Sequence, residues 1–193
     1  YYIYFGTSNS ADPYTAGTKQ SQAEGDTQSF TPTTSLTADG TYYLRVRTID
    51  NAGNRSEPIT LFTYKLDKTA PVSPSLINVS PFSWSLTNKF TFNWTAGNDE
   101  ANYASGLAGY QYKLGDGDWS GTITDLSVAN IESYQDGKNT FYIRSIDNAG
   151  NTGDIKQAYY YYNGQAPSAP QNLTVNPQSS TTANSFTFEW DKP

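Results

Sequence analysis

The chain has 193 residues, 36% hydrophobic and 16% charged, with 10 prolines, 15 glycines and no cysteine, histidine or methionine. Without His or Cys there is no Ser-His-Asp or Cys-His machinery, no thiolate chemistry and no ordinary zinc site, so any metal would be a hard cation held by oxygen. Eighteen acidic against twelve basic side chains, a net charge of -6, argue against nucleic acid and anionic membrane as partners, because both need clustered Lys and Arg.

Read from its start, the chain opens on Tyr1-Tyr2-Ile3-Tyr4-Phe5, a composition that suits the middle of a strand, and it lacks an initiator Met. We expect a mature or excised piece of something longer. No apolar run approaches the roughly 18 to 20 residues of a membrane helix, so no membrane insertion is expected. The absence of cysteine, common in exported bacterial proteins, points to an extracellular or cell-surface location in a prokaryote.

Strand signals follow one another, and apolar spacing of three and four is missing throughout. In 41–49, Tyr42, Leu44 and Val46 share a face while Arg45 and Arg47 point away. A polar hairpin, Asp50-Asn51-Ala52-Gly53-Asn54, comes next, and a short segment ending in proline, Asp67-Lys68-Thr69-Ala70-Pro71, reads as a linker. Phe90, Phe92 and Trp94 alternate with Thr91 and Asn93, so the aromatics line one face. Phe141 and Ile143 repeat the pattern, Tyr159-Tyr160-Tyr161-Tyr162 puts two tyrosines on each face, and Phe186, Phe188 and Trp190 alternate with Thr187 and Glu189. Trp94 and Trp190 are both expected in a core.

An internal repeat organises these elements. Ile49-Asp50-Asn51-Ala52-Gly53-Asn54 recurs as Ile146-Asp147-Asn148-Ala149-Gly150-Asn151, an offset of 97, and Ala70-Pro71 through Trp94 recurs as Ala166-Pro167 through Trp190, an offset of 96. One unit per roughly 96 residues, built of short strands and turns, fits an all-β, seven-stranded, two-sheet sandwich. A Trp closing the second strand, a Tyr-x-Leu-x-Val strand and the hairpin after it resemble the fibronectin type III pattern. The Arg-x-x-Asp-Asn-Ala-Gly-Asn hairpin and the Asp-Lys-Thr-Ala-Pro linker resemble tandem fibronectin type III-like and Ig-like repeats of bacterial surface proteins. That resemblance implies tandem β-sandwiches arranged end to end.

The chain is cut out of phase with the repeat. Residues 1–66 hold the later strands of a first sandwich, 67–163 a complete one, and 164–193 the first two strands of another. Phe186, Phe188 and Trp190 are what the first unit lacks. Head-to-tail supply from another copy is therefore expected, through a continuous polypeptide or by strand complementation between subunits.

For chemistry, Asp50, Asp67 and Asp147 are calcium candidates, since Ca²⁺ takes carboxylate oxygens from short loops. The alternative is an ordinary turn, in which Asx side chains bond nearby backbone and glycine supplies positive φ. Gly115-Asp116-Gly117-Asp118 is a weaker candidate of the same kind. Asp99 and Glu100 are the nearest thing to an acid/base pair, but exposed acids on sandwich loops are the commoner case, and no catalytic residue is assigned. Trp84, Trp119 and Tyr159, Tyr160, Tyr161 and Tyr162 are candidate contacts for a neighbouring domain or a cell-surface glycan. The expected function is a non-catalytic extracellular structural segment, such as a stalk, surface-layer component or fibre subunit. The alternative is a carbohydrate-binding or spacer module of a secreted polysaccharide-active enzyme.

Overall fold

A computed structural model describes residues 1–21, 29–33, 35–178, 182 and 184–192. Residues 22–28 of the expected first segment and Pro193 at the end of the last lie outside the described residues. Twelve strands and one helical turn make up the regular structure among them.

The first sheet contains β1 (Tyr2–Gly6), β2 (Thr18–Lys19), β3 (Gly40–Arg47) and β4 (Ile59–Leu66), in the spatial order β2-β1-β3-β4. A four-residue turn of helix, α1 (Pro13–Ala16), joins β1 to β2, with Asp12 capping its start and Pro13 fixing the first helical φ. At the head of β3 the Tyr42 hydroxyl donates to the carbonyl of Ala38 at 2.7 Å. This is the tyrosine-corner bond of Ig-type sandwiches.

The middle of the chain builds two facing sheets. One has β5 (Ser75–Ser80), β6 (Phe90–Thr95) and β8 (Ser127–Ile131) in the order β5-β6-β8; the other has β7 (Leu107–Leu114), β9 (Gly137–Asp147) and β10 (Lys156–Tyr162) in the order β10-β9-β7. All pairings within them are antiparallel. A seventh strand is reduced to a single bridge in which Tyr110 and Ile123 exchange backbone bonds of 2.8 and 2.9 Å.

Strict alternation on β6 and β9 sends Phe90, Phe92, Trp94, Phe141 and Ile143 into the space between these sheets, where Tyr110, Ile131 and Tyr160 join them. The rings of Phe92 and Phe141 stack at 4.0 Å with planes 7° apart, and Tyr160 meets Phe90 edge-on at 4.8 Å. Asn139 is buried among them and fully satisfied. Its Nδ2 donates to the carbonyls of Gln135 and Gly137, and its Oδ1 accepts from the amides of Tyr134 and Gln135. Subtracting the 97-residue offset places Asn139 on Tyr42 and Gln135 on Ala38, so two different side chains close the same corner onto the same carbonyl.

The last pair, β11 (Gln171–Asn176) and β12 (Thr187–Asp191), forms an isolated hairpin that packs against no other element among the described residues. The expectation that Trp190 sits in a core is therefore corrected for this chain: Trp190 is 54% exposed, against 4% for Trp94. The sequence places both residues on the apolar face of a strand, but only Trp94 has a facing sheet to cover it.

This contrast is measurable. Trp94→Ala should destabilise the middle sandwich by about 3–5 kcal/mol. Trp190→Ala should change the unfolding of the monomeric chain by no more than about 0.5 kcal/mol. Equal shifts in the denaturant midpoints of the two variants would contradict the packing described.

Candidate functional site

The repeated hairpins are built alike. In each, the aspartate that opens the turn, Asp147 at the end of β9 and Asp50 three residues after β3, folds its carboxylate over it. Asp50 Oδ1 accepts from the amides of Ala52 and Asn54 at 2.9 and 2.8 Å, and Oδ2 accepts from Asn54 Nδ2 at 2.8 Å. Asp147 does the same with Ala149 and Asn151 at the same three distances. Gly53 and Gly150 take φ of 92° and 95°, values that favour a residue without a Cβ. The turn chemistry alone thus accounts for Asp-Asn-Ala-Gly-Asn in both copies.

What distinguishes the second hairpin is its company. Asp67, immediately after β4, has Oδ1 on the amide of Thr69 at 3.0 Å and Oδ2 on the amide of Ser105 at 2.6 Å, while its backbone carbonyl accepts from Asn151 Nδ2 at 3.1 Å. Asp99, in the connection between β6 and β7, accepts from the amide of Gly106 at 2.8 Å. The loop 105–106 is pinned from the hairpin side by Asn148, whose Nδ2 donates to the carbonyls of Ser105 and Gly106. The result is a group of three carboxylates, from Asp67, Asp99 and Asp147, with ligand oxygens within 4.8 Å of one another.

Of the three sequence candidates for calcium, the structure brings Asp67 and Asp147 together and adds Asp99. It leaves Asp50 outside any group of three or more such ligands among the described residues. Asp116 and Asp118 belong to no such group either, and the Gly117 amide closes a turn onto the carbonyl of Leu114 at 2.9 Å.

Electrostatics follow from this crowding. Desolvation raises the pKa of Asp99 above the ordinary carboxylate value, and the charges of Asp67 and Asp147 raise it further against the Gly106 hydrogen bond. Asp67 is held below the ordinary value, chiefly by hydrogen bonding to Ser105 and also to the Thr69 amide. Oxygens on one calcium ion lie about 2.3–2.6 Å from it, so two of them can stand up to about 5 Å apart across the ion. The three carboxylates have the donor chemistry and the spacing for one hard divalent cation, and such a charge would relieve the repulsion on Asp99.

Residues 67–69 also face the other way. The Lys68 amide donates to Asp39 Oδ1 at 2.8 Å, and the Thr69 hydroxyl donates to Asp39 Oδ2. The connection between β4 and β5 is thereby tied to the loop ahead of β3 on one side and to the hairpin after β9 on the other.

The aromatic candidates lie elsewhere. Trp84 is 61% exposed and tilts against Tyr161 with centroids 5.3 Å apart. Trp119 is not a free platform: the Arg144 guanidinium sits 4.2 Å from its ring centroid and Lys113 Nζ 5.6 Å. In the tyrosine run Tyr160 is fully buried and Tyr162 packs beside the core, whereas Tyr159 lies outside beneath Lys138 Nζ at 3.4 Å. Phe186, Phe188 and Trp190 are exposed on the hairpin β11–β12.

No family model matches the chain, and no curated protein matches it. Among solved structures it is similar to the crystal structure of the chicken CNTN1 FN1-FN3 domains, at 17% identity and a TM-score of 0.32, over 78% of this chain and 52% of that one. The chain spans about half the length of that structure. Its fibronectin type III-like, all-β fold stands on its own strand order and register. No helix among the described residues is long and apolar enough to cross a membrane.

The carboxylate group gives a prediction with a definite sign. Because Asp99 binds its proton more tightly in the folded chain, its ionisation costs stability as pH rises from the unfolded-state value through the raised one. In EDTA at neutral pH, Asp99→Asn should therefore melt at or above the wild-type temperature. Millimolar calcium should raise the wild-type melting temperature by several degrees and leave Asp99→Asn unmoved. A wild type indifferent to calcium would reduce the three aspartates to turn and linker residues.

Proposed function

We propose that the chain is a non-catalytic structural segment of an extracellular surface protein, in which β-sandwiches follow one another end to end and copies associate head to tail. The observation that carries this reading is the connection at residues 67–69. It is short, and its hydrogen bonds reach both the strands before it, through Asp39, and the loops after it, through Ser105 and Asn151. Linkers between freely moving domains are exposed and make few contacts across the boundary. A linker bonded on both sides suits a stiff rod. Division of the chain at 66/67 and 163/164 belongs to the same reading, as does a divalent cation at Asp67, Asp99 and Asp147 that would tighten the junction further.

The composition supports it. With 16% charged residues and a net charge of -6 over 193 residues, the surface offers little self-repulsion to lateral or end-to-end packing. A glycan-binding module is favoured by one specific observation, the exposed Trp84 against Tyr161, because neighbouring exposed rings can stack on a sugar. That reading places the contact at Trp84, with Trp119 already covered by Arg144 and Lys113.

Small-angle scattering from the monomeric chain tests the rod. The expected curve is that of an elongated particle of fixed length, unchanged between low and moderate salt. Asp67→Ala should broaden the distance distribution by freeing the connection. A wild-type profile typical of flexibly tethered beads would sink the stiff-segment reading, and retention on an insoluble polysaccharide that Trp84→Ala abolishes would put the binding module in its place.

A further inference from the structure

The net charge of -6 hides a surface of the opposite sign. The sheet β7–β9–β10 turns one face to the core and the other to solvent. Alternation from the core residues Tyr112, Phe141, Ile143 and Tyr160 puts Lys113, Lys138 and Arg144 on the solvent side. The three strands contain a single carboxylate, Asp147, and that one is buried at 2% exposure. The acids of the adjoining turns, Asp116, Asp118 and Asp136, form no ion pair with these cations; among the described residues the one ion pair is Arg47 with Asp12. Three positive charges therefore stand on one face without a counter-charge, where a surface built only for solubility would intersperse the two signs.

Aromatic rings hold the cations in place. Lys138 Nζ lies 3.4 Å from the ring centroid of Tyr159, Lys113 Nζ 5.3 Å from that of Tyr142 and 5.6 Å from that of Trp119, and the Arg144 guanidinium 4.2 Å from Trp119. Arg144 is fixed a second time, because its Nε and Nη2 both donate to Gln111 Oε1, at 3.1 and 2.9 Å. The Nη1 side keeps its donors for a ligand, in the planar geometry that matches a carboxylate. Six residues along β9 take the chain from Lys138 to Arg144, about 20 Å of extended strand, and the register sets Lys113 beside Tyr142 between them. One small anion cannot reach all three cations. A chain with carboxylates at intervals can.

We infer that the solvent face of β7–β9–β10 binds an acidic polysaccharide, a chain of pyranose units carrying carboxylates, with Arg144, Lys113 and Lys138 as the charge contacts. Two observations favour a sugar over an acidic peptide. At the Lys138 end the register places Tyr161 alongside, and Trp84, 61% exposed, tilts against it, so a sugar ring has a place to stack. Peptides that add to sheets do so along an unpaired strand edge, whereas the central strand of this face, β9, is bonded on both sides. The inference goes beyond the structural-segment reading and does not depend on it, since it concerns the flank of the middle unit rather than its junctions.

Calorimetric titration with soluble polygalacturonate tests the assignment, in EDTA so that no cation bridges the polymer to Asp67, Asp99 and Asp147. The wild type should bind at low salt, lose affinity as salt rises, and ignore the methyl-esterified polymer, which keeps the sugar rings and lacks the charges. Lys113→Gln and Lys138→Gln should each weaken binding about two- to fivefold, and the double variant about tenfold. Arg144→Lys keeps the charge and loses the planar fork, so it should fall between the wild type and Arg144→Gln. Lys156→Gln, on the other side of β10 by alternation with Tyr160, should bind like the wild type. Lys138 is exposed, so Lys138→Gln should melt with the wild type and its loss of affinity is not a loss of fold. A wild type that does not bind, an ester bound equally well, Lys156→Gln as weak as Lys138→Gln, or polyglutamate bound as tightly as polygalacturonate would each overturn the assignment. Binding that Trp84→Ala abolishes and the lysine variants leave unchanged would also overturn it, by moving the contact to the ring pair alone. None of these outcomes bears on the scattering test of the rod.

Discussion

Phe92 and Phe141 stack face to face at 4.0 Å between the two sheets of the middle unit, and the remaining packing depends on that contact being made. A sheet with one apolar face is stable only when another layer covers it. The alternation of Phe90, Phe92 and Trp94 therefore has a meaning only in relation to β9 and β10. Where the two layers coincide in the chain, as at Tyr160, a large aromatic is fully buried. Where no second layer faces the strand among the described residues, as at Phe62 and Phe188, the equivalent side chains are exposed.

The polar interactions serve a different purpose. Asp147 uses both carboxylate oxygens to close its hairpin, and the same hairpin holds Asp67 through Asn151 and the 105–106 loop through Asn148. These bonds join loops from three parts of the chain at the point where β4 gives way to β5. They bring three carboxylates together, and desolvation first, with the charges of Asp67 and Asp147 after it, raises the pKa of Asp99. Proton and cation are alternative means of offsetting those charges.

Most of the fold is legible in the sequence, because period-two alternation and a repeat near 96 residues are direct consequences of strand geometry and domain size. Phe141 and Ile143 can be assigned inward from their neighbours alone, and the mixed faces of the tyrosine run follow from the pleat. The site is legible only in part. Asp147 stands out because its hairpin is repeated, and Asp67 because it opens the linker Asp67-Lys68-Thr69-Ala70-Pro71. Asp99 lies 32 residues after Asp67 and 48 before Asp147; in the sequence it reads only as half of an acidic pair with Glu100, since its place beside Asp67 and Asp147 depends on how the β6–β7 connection folds over the hairpin. Trp119 looks free in the sequence, and the cations that cover it, Lys113 and Arg144, come from β7 and β9. Trp190 shows the converse failure: its local pattern is that of a core residue, and it is exposed because no facing sheet covers β12 among the described residues.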